Sequence, residues 1–435
     1  MKWAVYNLLF LAVYPFLLPG FLVRMLKRGG YAARFWDRFA LYPKEIVSAL
    51  GARAESHDYR AGEFVWIHAV SVGEVQVAGQ LMREWRKVEP DVRFCFSTTS
   101  STGWKMAEKE VQAQDVLIYN PLDFPTFVKA AFRTVRPRAI ILTESEIWPN
   151  FIRRAKRYGV PLFLINARVS DRSAPRYRLA KCFFGDVFRC FTRIFAQSEL
   201  DRQRLLAAGA PADRTVVTGS FKFDVARRNP AKEAELRAWI GGGRILLGGS
   251  TWPGEDEVLL NVYKKLLGDR TDKSLVLVIA PRHFEKADAV EANIRAAGFS
   301  CIRRSRLSQP SQPSQPPQPV FLADTTGELM GLYGIADVVF VGKSLCAHGS
   351  QNMIEPCLCG KPTLVGPYTE NFRPVMSDLL EGGGIVQVKD AAELEARIGE
   401  LLVSDAGLGE RARLAVERRC GVVPKCVAAI REAVR

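Results

Sequence analysis

The chain has 435 residues, too many for one ordinary hydrophobic core, so roughly two or three domains are expected. Its composition, 48% hydrophobic and 25% charged, is that of a globular protein and excludes an intrinsically disordered one. Lysine and arginine outnumber aspartate and glutamate by 61 to 46, and this charge of +15 favours an anionic partner, although no zinc-finger, RRM or helix-turn-helix signature points to nucleic acid.

The N-terminal segment predicts attachment to a membrane. An almost uninterrupted apolar run extends from Trp3 to Val23, and basic residues follow it at positions 24, 27, 28, 34 and 38. A run of about 20 apolar residues is long enough to span a bilayer, and the charge bias would keep the rest of the chain in the cytoplasm. Pro15 and Pro19 weaken a straight span and leave an interfacial helix as the alternative. We therefore predict a membrane-anchor helix within residues 1–30.

After residue 62, short apolar strands alternate with amphipathic helical segments, which is typical of parallel sheets covered by helices. The predicted strands are 64–70, 92–97, 115–119, 138–143, 160–165 and 193–197 in a first series, and 244–249, 274–280, 336–342 and 361–366 in a second. A polar stretch near 221–235 is the predicted linker. The expected fold is α/β, with two Rossmann-like domains over residues 31–222 and 223–435 and a cleft between them.

Two further features belong to the second half. Residues 308–319, rich in proline, glutamine and serine, are predicted to form a solvated surface insertion without chemistry. The last helix of the chain is expected to pack back on the first domain.

Ligands of open α/β sheets bind beyond the carboxyl ends of the strands, and the loop within residues 68–78 carries the first candidates. Ser71 and Gly73 follow a strand, and Glu74 opens a helix, where the macrodipole stabilises an ionised carboxylate. Glu74 is therefore a candidate general base, and Gly73 would let a substrate approach the backbone. The alternative is an ordinary acidic residue in the first turn of a helix.

Two more loops of the first half carry charged residues. Glu144 and Glu146 end the fourth predicted strand and are candidates for binding sugar hydroxyls, with helix capping as the alternative. The next loop supplies Arg168 and Arg172 for an anionic group.

The second half offers candidates for holding an anion. The stretch GGSTWPGEDE (248–257) lacks a G-x-G-x-x-G pattern but can present backbone amides at the start of a helix. Arg282 and His283 directly follow a strand, and arginine suits forked contacts to phosphate or carboxylate. His283 is either a ligand contact or a structural hydrogen-bonding residue.

The stretch FVGKSLCAHGSQNMIEP (340–356) looks at first like the end of a P-loop, because Gly342, Lys343 and Ser344 follow an apolar strand. A P-loop needs glycine five positions before Gly342, where this chain has Asp337, so that interpretation fails.

The same stretch predicts a different anion site. Gly349 and Asn352 precede a helix whose first turn holds Glu355, so amides there can bind a phosphate and the carboxylate can accept from ribose hydroxyls. The nearby C-x-C pair with one histidine is an incomplete ligand set, so no metal is predicted. A base in one half and a nucleotide cradle in the other indicate a glycosyl or similar group transferase.

Five motifs taken together resemble those of one family. They are SVGE (71–74), TESEIWPN (143–150), FKFD (221–224), PRH (281–283) and GKSL with HGSQNMIEP (342–356). In order and spacing, over about residues 1–425, the set resembles the 3-deoxy-D-manno-octulosonic acid (Kdo) transferases of lipopolysaccharide biosynthesis. The resemblance implies a GT-B fold that clamps CMP-Kdo, and an inverting, metal-free transfer of Kdo to the lipid A precursor, lipid IVA.

The resemblance also implies roles for individual residues. Glu74 matches the general base, Glu146 the acidic residue of the second motif and Lys222 the basic residue of the linker. The full set of candidate substrate-binding residues is Ser71, Gly73, Glu146, Lys222, Arg282, His283, Gly342, Ser344, Gly349, Asn352 and Glu355. Lys343 and Ser350 depart from the family pattern, since glycine is common at both positions.

The implied partners are CMP-Kdo, the lipid A precursor and the inner membrane, at its cytoplasmic face, with no cofactor and no nucleic acid. Two rival interpretations remain open. Another GT-B enzyme, using a UDP-sugar on a lipid-linked acceptor, would share the fold and the ribose-binding glutamate. A membrane-attached nucleotide-binding or scaffold protein would lose no activity when Glu74 is changed.

Overall fold

The computed structural model describes residues 2–28, 32–51, 62–224, 228–269, 274–306 and 319–434. The chain forms two compact units, one of Met1–Lys222 with Gly421–Arg435 and the other of Phe223–Cys420. Each unit contains one parallel sheet of seven strands, flanked by helices. The predicted pair of Rossmann-like domains is confirmed.

The first unit places its two most polar loops side by side. Its strands are β1 (Phe64–His68), β2 (Arg93–Thr98), β3 (Val116–Tyr119), β4 (Ala139–Thr143), β5 (Leu162–Ala167), β6 (Arg193–Ala196) and β7 (Thr215–Val217). Its helices are α1 (Lys2–Arg28), α2 (Lys44–Ala49), α3 (Val72–Val88), α4 (Ser101–Ala107), α5 (Pro125–Val135), α6 (Pro149–Arg157), α7 (Ala174–Leu179), α8 (Lys181–Phe188) and α9 (Glu199–Ala207). The strand order is β3-β2-β1-β4-β5-β6-β7. The loops after β1 and β4 therefore lie at the topological switch point of the sheet, where α/β proteins bind ligands.

The second unit repeats this arrangement. Its strands are β8 (Arg244–Thr251), β9 (Leu275–Pro281), β10 (Cys301–Arg303), β11 (Val320–Leu322), β12 (Val338–Val341), β13 (Thr363–Val365) and β14 (Val386–Gln387). Its helices are α10 (Pro230–Ile240), α11 (Glu255–Asp269), α12 (Ala287–Ala296), α13 (Leu329–Ile335), α14 (Ile354–Leu358), α15 (Arg373–Glu381), α16 (Ala391–Val403) and α17 (Leu408–Glu417). The order β10-β11-β9-β8-β12-β13-β14 places the switch point between β8 and β12.

Both sheets are buried on both faces, as parallel sheets usually are. In β1, Trp66 belongs to one hydrophobic cluster, and Val65 and Ile67 belong to the cluster on the opposite face. The last helix, α18 (Val422–Val434), contributes Cys426 and Ile430 to the second of these clusters and packs against α3.

Helix α1 docks on the first unit through one face. The Tyr6 hydroxyl donates to Asp123 Oδ2 at 2.9 Å, and the Phe10 ring packs edge-on against Phe124 with 5.0 Å between centroids. The other face exposes large apolar side chains, including Leu8 at 68% and Phe16 at 85%. In the part of the chain that the structure describes, no helix combines the length and apolarity needed to cross a bilayer.

Some sequence predictions require correction or lie outside the described residues. The linker does not extend to 235, because Asn229 caps α10 by accepting from the Lys232 amide and Pro230 occupies its first position. Strands β7, β10, β11 and β14 were not predicted, since each has only two or three residues at or next to a sheet edge. Of the proline-rich insertion, residues 308–318 lie outside the described part.

The buried carboxylate that receives Tyr6 predicts a pH-dependent stability. Burial raises the pKa of Asp123 to about 7, against the opposing effect of its donors, the amides of Asn150 and Phe151 and the Tyr6 hydroxyl. Because the folded-state pKa exceeds the unfolded value, this contribution is fully present below about pH 4 and is lost as the pH rises through about 7. The loss should be on the order of 4 kcal/mol and should be absent in Asp123→Asn, as measured by chemical denaturation between pH 4 and 8.

A matched control for this prediction is Asp186→Asn. A hydrogen bond from Lys2 lowers the pKa of Asp186, so its contribution has the opposite sign and is lost as the pH falls. Parallel pH profiles for the wild type and Asp123→Asn would contradict the assignment.

Candidate active site

In the first unit, the loop after β1 folds around the carboxylate of Glu74. Ser71 caps α3 by accepting from the Glu74 amide at 3.2 Å, and its hydroxyl donates back to Glu74 Oε1 at 2.8 Å. Glu74 Oε2 accepts from the Val70 amide at 3.0 Å and from the Thr143 hydroxyl, at the end of β4, at 3.2 Å. These donors fix the orientation of the carboxylate. Glu74 is therefore anchored to two strand ends, and its capping contacts supply the alternative role that the sequence left open.

The surface beside this carboxylate is open. Glu74 is only 9% exposed, whereas Ser71 and Gly73 are exposed. A Cβ atom added at Gly73 would meet no described atom except Ser71 Oγ, at 4.0 Å. Packing therefore does not require glycine at this position, and a ligand can reach the backbone there.

Glu146, in the loop after β4, is held by aromatic residues. Trp148 Nε1 donates to Glu146 Oε2 at 2.8 Å, and Nε2 of the fully buried His68 lies 3.5 Å from the same oxygen. The Glu146 side chain is 16% exposed. It lies close enough to Tyr177 that its charge adds to burial in raising the pKa of that phenol.

Glu144, also in the loop after β4, lies among polar and charged side chains. Asn166 donates to Glu144 Oε1 at 3.2 Å, and the Arg168 guanidinium lies 3.9 Å from Oε2. Burial raises the pKa of Glu144; Arg168 and Lys222 oppose this change, and the Glu74 carboxylate adds to it. Burial likewise lowers the pKa of Lys222, which Glu144 opposes. The predicted residues Lys222 and Glu74 are therefore both close enough to Glu144 for their charges to act on its carboxyl group. Arg172 is exposed and makes no contact with these side chains.

In the second unit, the turn after β12 binds an anion that belongs to the protein. Glu255, fully buried at the start of α11, accepts from the amides of Lys343 at 2.8 Å, Ser344 at 3.0 Å, Leu345 at 3.0 Å and Cys346 at 3.4 Å. It also accepts from the Trp252 amide at 2.8 Å. The Gly-Lys-Ser turn is therefore an amide cradle already filled by a carboxylate.

Two of the predicted binding residues, Gly342 and Ser344, pack beside this cradle. Ser344 is fully buried, its hydroxyl donates to the Val341 carbonyl at 2.6 Å, and it accepts from the Gly366 amide at 2.8 Å. A Cβ atom at Gly342 would lie 2.3 Å from the Ser250 carbonyl oxygen. Both residues are needed for packing of the loop, and Ser344 has no exposed surface for a ligand.

The remainder of the loop is fixed by left-handed backbone conformations. Lys343 and Ser350 have φ of 56° and 57°, and Gly349 has φ of 113°. Glycine is required at 349, because a Cβ atom there would also approach Asn371 Nδ2 to 2.5 Å. The preference for glycine at 343 and 350 therefore has a backbone explanation, and this chain tolerates the strain.

Three of the predicted residues converge beyond this loop. Asn352 Nδ2 donates to Glu355 Oε1 at 3.1 Å. Burial raises the pKa of Glu355, while the hydrogen bond from Asn352 and the positive charge of Arg282 oppose the change. Arg282 is exposed and makes no side-chain hydrogen bond to another described residue. The partly buried carboxylate can accept from hydroxyl groups of a ligand, and the nearby guanidinium can bind an anionic group of the same ligand.

His283 belongs to a separate aromatic group centred on Trp252. Its ring lies 5.0 Å from the Trp252 ring, and Nδ1 lies 3.1 Å from Glu285 Oε1. Lys343 Nζ lies 4.9 Å from the centre of the same indole. The lysine therefore makes a cation–π contact on the surface of the second unit.

Sequence reasoning missed several residues that build these sites. They are His68, Thr143, Asn166, Trp252 and Glu255. The signal for Glu255 was present but was interpreted in reverse: the stretch GGSTWPGEDE was expected to offer amides to an anion, and it instead supplies the anion. A buried polar residue at the end of an apolar strand is a similar signal for His68 and Thr143.

Known proteins resemble this chain over most of its length. The family model described as 3-deoxy-D-manno-octulosonic-acid transferase (kdotransferase) matches residues 33–225. The 3-deoxy-D-manno-octulosonic acid transferase of Haemophilus influenzae is 33% identical over 350 residues, which is 80% of this chain and 81% of the relative. That of Bordetella pertussis is 35% identical over 379 residues, 84% of each chain.

A solved structure agrees with the fold. The crystal structure of Anabaena Alr3699/HepE in complex with UDP aligns with a TM-score of 0.54 at 14% identity, covering 85% of this chain and 100% of that one. This likeness concerns the fold alone, and it confirms the predicted GT-B class. The sequence relatives identify the chain as a member of the 3-deoxy-D-manno-octulosonic acid transferase family.

Proposed function

We propose that this protein transfers Kdo from CMP-Kdo to the lipid A precursor, lipid IVA, with inversion and with Glu74 as general base. The observation that carries the proposal is the Glu74 carboxylate at the switch point of the first sheet, buried beside an exposed glycine. A general base must be held where it can take the proton, and the contacts with Val70, Ser71 and Thr143 fix the Glu74 carboxylate in one place. The names of the relatives in Haemophilus and Bordetella support Kdo as the transferred group.

The second unit supplies the donor site in this proposal. Glu355 accepts from the ribose hydroxyls of CMP, with Asn352 orienting its carboxylate. As CMP leaves, negative charge grows on its single phosphate, and Arg282 is the exposed cation beside Glu355 that stabilises it. The amides after β12 cannot hold that phosphate, because Glu255 occupies them.

The acceptor side of the proposal rests on charge and on α1. A bisphosphorylated lipid suits a chain with a net charge of +15. The apolar face of α1, which leaves Leu8 and Phe16 exposed, suits contact with the cytoplasmic face of the inner membrane. Arg168 and Lys222, next to Glu144, are the cations available near Glu74 for an acceptor phosphate.

The role of Glu74 can be tested by Glu74→Gln, which keeps the shape of the side chain but cannot accept the proton. We expect turnover to fall by roughly 10²- to 10⁴-fold while the affinity for CMP is unchanged. Transfer rates and CMP titrations measure the two effects separately.

Glu84→Gln is the matched control, because Glu84 lies on the same helix and pairs with the exposed Lys87. Turnover near the wild-type rate in Glu74→Gln would show that Glu74 only caps the helix.

The donor site can be tested by Glu355→Ala. The loss of charged hydrogen bonds to ribose should weaken CMP binding by roughly ten- to more than a hundredfold, as measured by calorimetric titration. Lys343→Gly should leave CMP affinity unchanged, because Lys343 Nζ lies over Trp252 and glycine suits the backbone φ of 56°.

Glu395→Ala serves as the control, since Glu395 pairs with the exposed Lys265 on the same unit. Unchanged affinity in Glu355→Ala would remove this loop from the donor site. Equal protection of the wild type by UDP would favour the alternative enzyme, a GT-B transferase that uses a UDP-sugar.

A further inference from the structure

His68 is a fully buried histidine that the proposed mechanism leaves without a role. It ends β1 and faces Ser97 in the neighbouring strand β2. His68 Nδ1 lies 3.1 Å from the Ser97 carbonyl oxygen and 3.0 Å from the Ser97 hydroxyl. These two contacts fix the orientation of the ring, because Nδ1 can either donate to the carbonyl oxygen or accept from the hydroxyl.

The surroundings of Ser97 keep the ring in this orientation. Trp66 Nε1 donates to the Ser97 hydroxyl at 2.8 Å and so occupies one lone pair of that oxygen. The hydroxyl in turn lies 3.4 Å from the Ile67 carbonyl and 3.3 Å from Asn120 Oδ1, both acceptors. The serine hydrogen therefore has other acceptors, and the His68 ring is held with Nε2 pointing away from Ser97.

His68 Nε2 faces a carboxylate oxygen. Glu146 Oε2 is 3.5 Å away, and Nε2 has no formed hydrogen bond to any residue in the described part of the chain. An unprotonated Nε2 would turn its lone pair toward an oxygen that only accepts, which is unfavourable in a buried site. A proton between Nε2 and Oε2 removes this conflict and attracts the two groups to each other.

Only one oxygen of Glu146 is used in this way. Trp148 Nε1 and His68 Nε2 both approach Oε2, whereas Oε1 makes no hydrogen bond to another described residue. Because the side chain is 16% exposed, Oε1 is left for an external donor.

We propose that His68 is a positioning residue: it holds Glu146 through a proton on Nε2, so that Oε1 accepts from a hydroxyl group of the acceptor sugar. The inference deepens the proposed function and rests on it. Thr143 connects this pair to the proposed base, because its hydroxyl lies 3.0 Å from the His68 carbonyl oxygen and 3.2 Å from Glu74 Oε2. The group that fixes the acceptor and the group that deprotonates it are thus anchored to the same two strand ends.

Two substitutions at His68 separate positioning from packing. Asparagine places an amide nitrogen near the position of Nδ1, which keeps the bond to Ser97 but cannot reach Glu146. Glutamine places an amide nitrogen near the position of Nε2, which keeps a donor for Glu146. With saturating CMP-Kdo, we expect His68→Asn to raise the acceptor KM about tenfold and His68→Gln to stay within about threefold of the wild type.

A double-substitution cycle tests whether His68 acts through Glu146. In the Glu146→Gln background, His68→Asn should change the acceptor KM by less than about twofold, because its effect has already been removed. A full tenfold effect in that background, or equal losses for the asparagine and glutamine variants, would overturn the proposal. If the wild type transfers no Kdo at all, it is the proposed function that fails, and this inference fails with it.

A measurement on the wild-type protein covers the case in which His68→Asn does not fold. Nitrogen NMR of labelled histidine, with His68 assigned from His68→Gln, should show a proton on Nε2. In Glu146→Gln the signal should move to that of an unprotonated nitrogen, because the new amide donates to it. An unprotonated Nε2 in the wild type would overturn the proposal independently of any activity.

Discussion

The loops that form both candidate sites depend on buried carboxylates that accept hydrogen bonds from backbone amides. Backbone amides in a loop that follows a strand have no hydrogen-bond partner in the sheet. Each buried amide left without an acceptor costs about 1–3 kcal/mol. Glu74 satisfies the amide of Val70 after β1, and Glu255 satisfies four successive amides after β12. Asp123 does the same for two amides at the start of α6. These carboxyl groups fix the path of each loop, and the path determines where the candidate binding residues lie.

The two carboxylates at the switch points differ in what surrounds them. Glu255 is fully buried and surrounded by amides, so it has only a structural role. Glu74 accepts hydrogen bonds from two hydroxyl groups and one amide. Exposed residues adjoin it, so a substrate can also reach it. The same device thus stabilises a loop in one unit and, in our proposal, presents a base in the other. Because Glu255 already occupies the Gly-Lys-Ser amides, our proposal assigns the donor phosphate to the Arg282 side chain.

The sequence predicted the elements that are long and apolar. Every predicted strand is present, because buried parallel strands give continuous hydrophobic runs bounded by turns. Strands β7, β10, β11 and β14 were missed, since two or three residues carry no detectable pattern. The linker was drawn too long because α10 begins with a polar turn whose capping residue, Asn229, is itself typical of loops.

The candidate sites were predicted less completely than the fold, for a physical reason. Motif positions such as Glu74 and Glu355 can be located along the chain, but their partners come from other strands. Asn166, which bonds Glu144, and Glu255, which fills the amide cradle, are close in space only after the strand order is known. The packing roles of Gly342 and Ser344 could not be read from the sequence either, because they depend on contacts with Ser250 in β8 and with Gly366, the residue after β13.

The central claim is that this protein moves Kdo from CMP-Kdo to a lipid acceptor, and one assay addresses it directly. The purified full-length protein would be incubated with lipid IVA and CMP-Kdo, and in parallel with a UDP-sugar, and the products would be weighed by mass spectrometry. Our account predicts that the acceptor gains the mass of one or more Kdo residues with CMP-Kdo and gains nothing with the UDP-sugar. An acceptor mass that stays unchanged with CMP-Kdo, or that increases with the UDP-sugar, would contradict it.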